Sequence, residues 1–233
     1  DYLGRTTPKR IDLETMRKYR SPYDLTAQSI GTEEVEYYPD ELGEVDVDRR
    51  IPLGRKNPNA IAIILATEFY NDNNFVPIDY VTRDKTVIRT YFKESFGLSD
   101  FQLLPSKTWQ MDGGPTGNDL INIFDPHQGD LRKRIITAEK YSGIKELDIY
   151  LYYRGYGEWL NGKPFLIPKD AKVNRDVSKY SLEQLMKNIS VLSVMKNIKT
   201  ITIFLDITYV NPKASNDLIW DFQNLSDKIC ILR

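Results

Sequence analysis

Apolar positions follow regular periods from residue 57 onward, and their alternation predicts strands separated by helices. The run Ala60–Ala66 is apolar at every position, which is typical of a parallel strand buried on both faces of a sheet. The apolar residues of Asp84–Phe96 instead fall on one helical stripe. Further strands are predicted at Phe101–Leu104, Leu147–Tyr153, Thr200–Leu205 and Lys228–Leu232, and further helices at 116–124, at 130–141 and from Ser181 onward.

Glycine and asparagine mark the turns between these elements. Asn161 and Gly162 stand between two short apolar runs and predict a β-hairpin. Gly155 and Gly157 follow the predicted strand Leu147–Tyr153. We expect that strand to end there in a tight loop, because glycine adopts backbone conformations that other residues resist.

Strand, helix and strand units of this length predict an α/β three-layer sandwich. Its sheet should be mostly parallel, with helices on both faces and right-handed crossovers. Such sheets bind ligands beyond the carboxyl ends of their strands. The loops at that edge are predicted to be 67–80, 154–158 and 206–213, so candidate chemistry is expected there.

Residues 1–56 lack a useful period and are predicted to form an extended arm before a folded domain at 57–233. Their stretch Glu33–Asp48 contains eight acidic residues and no basic one. It fits a solvated linker, or an acidic segment that docks on a basic partner surface. Because the chain begins without methionine and ends within an apolar run, we expect a piece of a longer protein, incomplete at its carboxyl terminus.

Composition argues against several classes of function. The 32 basic and 33 acidic residues nearly cancel, so no overall field favours nucleic acid or an anionic membrane as partner. No basic stripe accompanies the tyrosine-rich run Tyr150–Tyr156, which we interpret as core and cleft lining. No apolar run reaches the roughly 20 residues that span a bilayer, and the start lacks a signal-peptide layout. An intracellular, cytoplasmic protein is therefore expected.

Cysteine and histidine each occur once, as Cys230 and His127. An internal disulfide is impossible, and we expect neither a metal site nor a cofactor. These two residues are also the only possible Cys–His catalytic pair. We interpret them instead as a core thiol on the last strand and a surface histidine between two helices.

Four segments resemble, in the same order, motifs of the caspase and metacaspase-like peptidases. Tyr152–Gly157 resembles the family's Tyr-Ser-Gly-His-Gly signature, and Phe204–Tyr209 resembles its Leu-Asp-Ala-Cys-Phe/Tyr-Ser-Gly segment. Asn57–Ile64 is similar to the first core strand, and Phe165–Asp170 to the Tyr-Leu-Ile-Pro-x-Asp stretch. The resemblance covers roughly residues 49–233 and implies a caspase-like sandwich.

In that family a histidine assists a cysteine thiolate, and backbone donors stabilise the oxyanion. The motifs align Tyr156 with the histidine and Thr208 with the cysteine. Tyrosine, with a pKa of about 10, is a poor base near pH 7, and a threonine hydroxyl ionises far less readily than a thiol. Pro212 also removes a backbone N–H from the loop after Thr208. The resemblance therefore predicts a degenerate member, a pseudopeptidase.

Other motif residues are candidates for lining a remnant peptide-binding cleft. Asp206 matches an aspartate that helps to form an acidic pocket in metacaspase-like relatives, and Glu68 could share that pocket. Either carboxylate could instead be structural. Gly155, Gly157 and Tyr209 complete the predicted cleft.

These residues predict a catalytically inactive module that binds or scaffolds a protein or peptide, such as an active paralogue. One alternative is a divergent hydrolase that uses another group in the same cleft. Hydrogen-bond contact between Thr208, Tyr156 and a carboxylate would favour it. Another alternative is a structural component of a larger assembly, anchored by residues 1–56.

Overall fold

The structure of the chain is a computed structural model that describes residues 56–105, 113–173, 175–210 and 226–232. The predicted arm, apart from its last residue, and the loop at 211–213 lie outside the described residues. Within these ranges, no helix combines the length and the apolar character needed to cross a membrane.

In the described part of the chain, seven strands form a single sheet, and four helices accompany it. The strands are β1 Ala60–Ala66, β2 Leu103–Leu104, β3 Leu147–Leu160, β4 Lys163–Leu166, β5 Tyr180–Ser181, β6 Ile198–Tyr209 and β7 Ile229–Leu232. The helices are α1 Val81–Glu94, α2 Gly117–Phe124, α3 Asp130–Ser142 and α4 Leu182–Ser193.

The sheet is mostly parallel. Strands β2, β1, β3, β6 and β7 run parallel in that spatial order. Strands β4 and β5 are antiparallel, and β4 pairs with the last residues of β3, beyond the end of β1. This arrangement confirms the predicted α/β sandwich.

The central strand β1 explains why helices cover both faces. All seven of its residues are buried, as its unbroken apolar run predicts. Successive side chains of a strand point to opposite faces. The odd-numbered residues of β1 belong to one core cluster with residues of α2, α3 and α4. Ala60, Ala62 and Ile64 belong to a second cluster with Phe92 of α1.

Several helix ends lie where local sequence places them. Thr116 caps α2, since its Oγ1 accepts a hydrogen bond from the backbone N–H of Asp119, and Ser181 caps α4 in the same way. Gly143 ends α3 in the left-handed conformation, with φ 64°. Helix α1 begins at Val81, three residues before the predicted start.

The predicted hairpin is present between β3 and β4. Its two turn residues, Asn161 and Gly162, have φ values of 52° and 76°. Two consecutive positive φ angles match the right-handed twist of paired strands, which is why Asn-Gly is a strong hairpin signal.

The predicted loop at 154–158 is wrong, because β3 continues through it to Leu160. Neither Gly155 nor Gly157 has a positive φ, and the main chain there pairs with β6 on one side and with β4 on the other. Strand β6 also continues through Asp206 to Tyr209, so the first part of the predicted loop 206–213 is strand. The second strand is shorter than predicted, since residues 100–102 form a 3₁₀ turn.

Cys230 is exposed, so its prediction as a core thiol is wrong. Its neighbours Ile229 and Ile231 pack against the core from β7, and the alternation along a strand turns Cys230 to the other face. His127 is exposed in the loop between α2 and α3, as predicted.

Candidate functional site

Strands β3 and β6 bring the two predicted catalytic positions together. Tyr156 and Thr208 are paired residues of adjacent parallel strands, and Arg154 and Asp206 are paired two residues earlier. Gly157 is paired with Tyr209 one residue later. The segments identified by motif therefore lie side by side at the carboxyl edge of the sheet.

The side chain of Tyr156 packs into a group of three rings with Tyr70 and Phe75, here called the aromatic cluster. The ring centroids are 5.3 Å apart for Tyr70 and Tyr156, 5.9 Å for Phe75 and Tyr156, and 5.1 Å for Tyr70 and Phe75. Buried Ile167 and Ala171 complete this small core. Aromatic pairs at such distances attract each other beyond the area that they bury.

The hydroxyl of Tyr70 accepts a backbone hydrogen bond that a carbonyl of a neighbouring strand would otherwise accept. Strand β1 ends at Ala66, opposite Arg154, so it provides no carbonyl for the backbone N–H of Tyr156. That N–H donates instead to Tyr70 Oη at 2.8 Å. The carbonyl of Tyr156 accepts from the backbone N–H of Ile167 at 3.0 Å and from Tyr153 Oη at 3.1 Å. Both backbone groups of Tyr156 are thus satisfied within the chain.

The glycines of the motif are explained by close approach rather than by unusual φ angles. A Cβ at Gly155 would lie 3.0 Å from Tyr153 Oη and 3.1 Å from Tyr70 Oη. A Cβ at Gly157 would lie 2.5 Å from Ile207 Cγ2. Both glycines therefore make room for neighbouring side chains in a paired strand.

We expect Gly157→Ala to lower the free energy of unfolding by about 1–3 kcal/mol, as overpacking of a fitted site does. The new methyl would overlap Ile207 Cγ2, which is held close to the β6 backbone. Chemical denaturation measures the loss. Gly117→Ala at the start of α2 is the matched control, because a Cβ there meets only ordinary contacts at 3.8 and 3.9 Å. Equal stability of the two variants would contradict the crowding.

Tyr156 cannot act as a general base for the hydroxyl of Thr208. Burial and the nearby Asp79 carboxylate raise the pKa of Tyr156 above its ordinary value of 10, so its phenol stays protonated near neutral pH. Thr208 is exposed, and within the described part of the chain no hydrogen bond joins its hydroxyl to that of Tyr156. A protonated phenol cannot remove the threonine proton.

Arg154 occupies the region of the predicted acidic pocket. Its guanidinium forms an ion pair with Asp206 and a second one with Asp84 of α1, at 2.9 Å from Nε to Oδ2. Burial raises the pKa of Asp84, although Arg154 opposes that shift. Burial, together with the carboxylates of Asp206 and Asp84, also raises the pKa of Tyr152 to about 12. Asp206 is therefore already paired with a basic side chain of its own chain.

Glu68 supports a helix rather than joining Asp206. Its Oε2 accepts the backbone N–H of Thr82 at 2.8 Å, in the first turn of α1. The N-cap residue Tyr80 forms no side-chain cap, so Glu68 satisfies an amide that the helix itself leaves unpaired. Of the two interpretations of Glu68, the geometry supports the structural carboxylate.

The loop after β1 is fixed over the aromatic cluster by Asp72. The Asp72 carboxylate accepts from the backbone N–H of Val173 at 3.0 Å and from that of Asn74 at 3.1 Å. Asn71 N–H donates to the carbonyl of Lys169 at 2.8 Å. These bonds join residues 67–80 to the segment after β4.

We expect Asp72→Asn to destabilise the chain more at pH 7 than at pH 3. The hydrogen bonds from Val173 and Asn74 lower the pKa of Asp72 below its ordinary value of 3.8. A lowered pKa in the folded state adds stability above the unfolded pKa, and that stability is lost as pH falls through the folded pKa. Melting temperatures of both proteins across this range test the sign. A difference that grows toward pH 3 would contradict it.

The remaining candidates lie apart from this site. Cys230 is on β7, and the backbone N–H of His127 donates to Asp125 Oδ1 within its own loop. In the ranges that the structure describes, no group of three or more His, Cys, Asp or Glu residues could hold a metal ion. Sequence reasoning gave no role to Tyr70, Phe75 or Asp84, which contact the motif residues from the loop after β1 and from α1.

The two motif segments on β3 and β6 are therefore adjacent in space. Packed aromatic rings surround Tyr156, and ion pairs within the chain surround Arg154. The sequence matches no protein-family model, and a search of curated proteins finds no match either.

Proposed function

We propose that this chain is a catalytically inactive caspase-like module, a pseudopeptidase, that binds a protein or peptide at the carboxyl edge of its sheet. One observation carries the proposal. The side chain that stands at the histidine position, Tyr156, is a protonated phenol within the aromatic cluster, and its backbone groups are paired within the chain. Such a residue contributes packing and shape but no general base.

The second support is electrostatic. In the related peptidases an acidic pocket receives a basic substrate side chain, whereas Arg154 already pairs with Asp206 and Asp84 here. A substrate side chain would have to displace an arginine that is only 20% exposed. The ion pairs thus favour a partner that contacts the rim of the site over a substrate that enters it.

Exposed apolar side chains on the loop after β1 supply such a rim. Phe69, Val76 and Tyr80 are 49%, 69% and 38% exposed, and this loop also contributes Tyr70 and Phe75 to the aromatic cluster. We assign these exposed side chains to the partner-binding surface of the proposed module. The free thiol Cys230 fits a reducing compartment, in keeping with the cytoplasmic location that we propose.

The proposal predicts no turnover of reporter peptides that contain Arg, Lys or Asp, with or without calcium, and no labelling by a thiol-directed active-site probe. Turnover that disappears in Thr208→Ala would overturn the pseudopeptidase assignment. The exposed Cys230 is replaced by serine in a parallel sample, so that labelling at β7 is not mistaken for an active-site thiol.

Binding is tested separately with a displayed peptide library. Selected peptides should bind the wild-type chain, and Val76→Ser should weaken them by about tenfold, the effect of losing a well-buried apolar contact. Val177→Ser is the matched control, because Val177 is 94% exposed in the turn before β5. Equal loss in both variants, or selection of no peptide, would contradict a binding role for the loop.

A further inference from the structure

The tip of the β3–β4 hairpin carries an asparagine followed directly by a glycine, a dipeptide that occurs once in the 233 residues. Asn161 and Gly162 are both exposed. They connect Leu160 and Lys163, which form the last residue pair of the two strands. The amide carbon of the Asn161 side chain is therefore open to water and close, along the covalent chain, to the main-chain nitrogen of Gly162.

Few contacts hold this turn against local rearrangement. In the part of the chain that the structure describes, no hydrogen bond or ion pair involves the side chain of Asn161. A Cβ built on Gly162 would meet no heavy atom within 4 Å, so the space beside that residue is open. Glycine has no side chain to hinder its own nitrogen, and exposed turn tips open at a small cost in free energy. The Gly162 nitrogen can thus reach the side-chain amide of Asn161.

We propose that Asn161 is a site of spontaneous deamidation, a modification that needs no enzyme and to which asparagine is prone. The Gly162 nitrogen forms a bond with Cγ of Asn161, and the Cγ–Nδ2 bond breaks. The proton of the Gly162 N–H passes through solvent to Nδ2, which leaves as ammonia. Water then opens the cyclic imide on either side of its nitrogen. Attack at Cγ gives aspartate, and attack at the main-chain carbonyl carbon gives isoaspartate.

The two products differ in their effect on the hairpin. Aspartate tolerates the left-handed conformation that Asn161 adopts at φ 52°, so this product keeps the turn. Isoaspartate adds one carbon atom to the main chain, and the loop length of a hairpin fixes the register of its strands. Strand β4 leads into Ile167, whose backbone N–H donates to the carbonyl of Tyr156 at 3.0 Å. Isoaspartate at position 161 therefore weakens strand pairing next to the candidate site.

The test follows the complete chain during incubation in buffer, with peptide mapping by mass spectrometry. We expect the peptide that contains Asn161 to lose its amide and to separate into two products, one of them a substrate for isoaspartyl methyltransferase. Conversion should be faster at pH 8 than at pH 6, because hydroxide removes the proton of the attacking N–H. Asn73 is the internal control, since it is exposed in a turn but precedes Asn74 instead of glycine, and it should convert far more slowly.

A variant and a denatured sample separate the outcomes. Asn161→Gly keeps a turn sequence that favours the same hairpin and removes the amide, so no product should form at this position. The isoaspartate fraction should melt about 2–4 °C below fresh protein, and aged Asn161→Gly should not. An isoaspartate fraction that melts like fresh protein would contradict the effect on the hairpin. Equal conversion at Asn161 and Asn73, or conversion in denaturant without any in the folded chain, would overturn the proposal.

Discussion

Glu158→Gln is expected to lower the free energy of unfolding by about 3–5 kcal/mol, the usual cost of breaking a buried ion pair from one side. Glu158 of β3 pairs with Lys179 at 2.6 Å, and the lysine side chain is 1% exposed. Lys179 Nζ also donates to the carbonyl of Val173 at 3.3 Å. The variant removes a carboxylate charge that lies 2.6 Å from an ammonium group in a nearly dry position.

The matched control is an exposed pair of similar geometry. Lys163 and Glu183 approach to 3.0 Å, but their side chains are 62% and 59% exposed. Water screens that attraction, so Glu183→Gln should change stability by about 0–1 kcal/mol. Denaturant titrations of the three proteins at pH 7 provide the comparison. Equal losses in the two variants would mean that burial does not determine the effect.

The Glu158–Lys179 pair also illustrates why part of the fold could not be predicted. The strand and helix pattern was readable because it rests on local periods, as in the unbroken apolar run Ala60–Ala66, and because Thr116 and Ser181 cap helices within a few residues. The partner of Glu158 lies 21 residues away, across a hairpin and a 3₁₀ turn. Nothing in a local pattern specifies that contact.

Strand ends were the least predictable part of the sheet. Two glycines in Arg154–Gly157 favoured a loop, since glycine weakens an isolated strand. In the structure β4 and β6 pair on either side of that segment, and crowding by Ile207 makes glycine the residue that fits at 157. Tertiary pairing therefore overrides the local preference.

The proximity of the two motif segments was predictable, but the side chains around them were not. Motif order placed Tyr156 and Thr208 at neighbouring strand ends, and the sheet pairs them directly. The groups that surround them come from elsewhere: Tyr70 from the loop after β1 and Asp84 from α1. A sequence motif identifies residues along one strand. The side chains that surround those residues come from other elements, which the motif does not include.

Tyr70 is the residue on which we expect that packing to depend most. Tyr70→Ala should lower the free energy of unfolding by about 3–5 kcal/mol, because it removes a large buried ring. Tyr70 is 9% exposed and contacts Phe75 and Tyr156. Tyr70→Phe should cost less, about 1–3 kcal/mol, since it keeps the ring but leaves the part-buried N–H of Tyr156 without its acceptor.

The two variants together separate the hydroxyl from the ring. Tyr141 on α3 provides matched controls, because it is 74% exposed, and its replacement by Ala or Phe should change stability by about 0.5 kcal/mol or less. If Tyr70→Phe unfolds like wild type, the hydrogen bond to Tyr156 contributes nothing. If Tyr70→Ala and Tyr70→Phe lose the same free energy of unfolding, the packing of the Tyr70 ring in the aromatic cluster contributes nothing to stability. A large loss in the first and a smaller one in the second would mean that both the ring of Tyr70 and its hydrogen bond to the backbone of Tyr156 stabilise the fold.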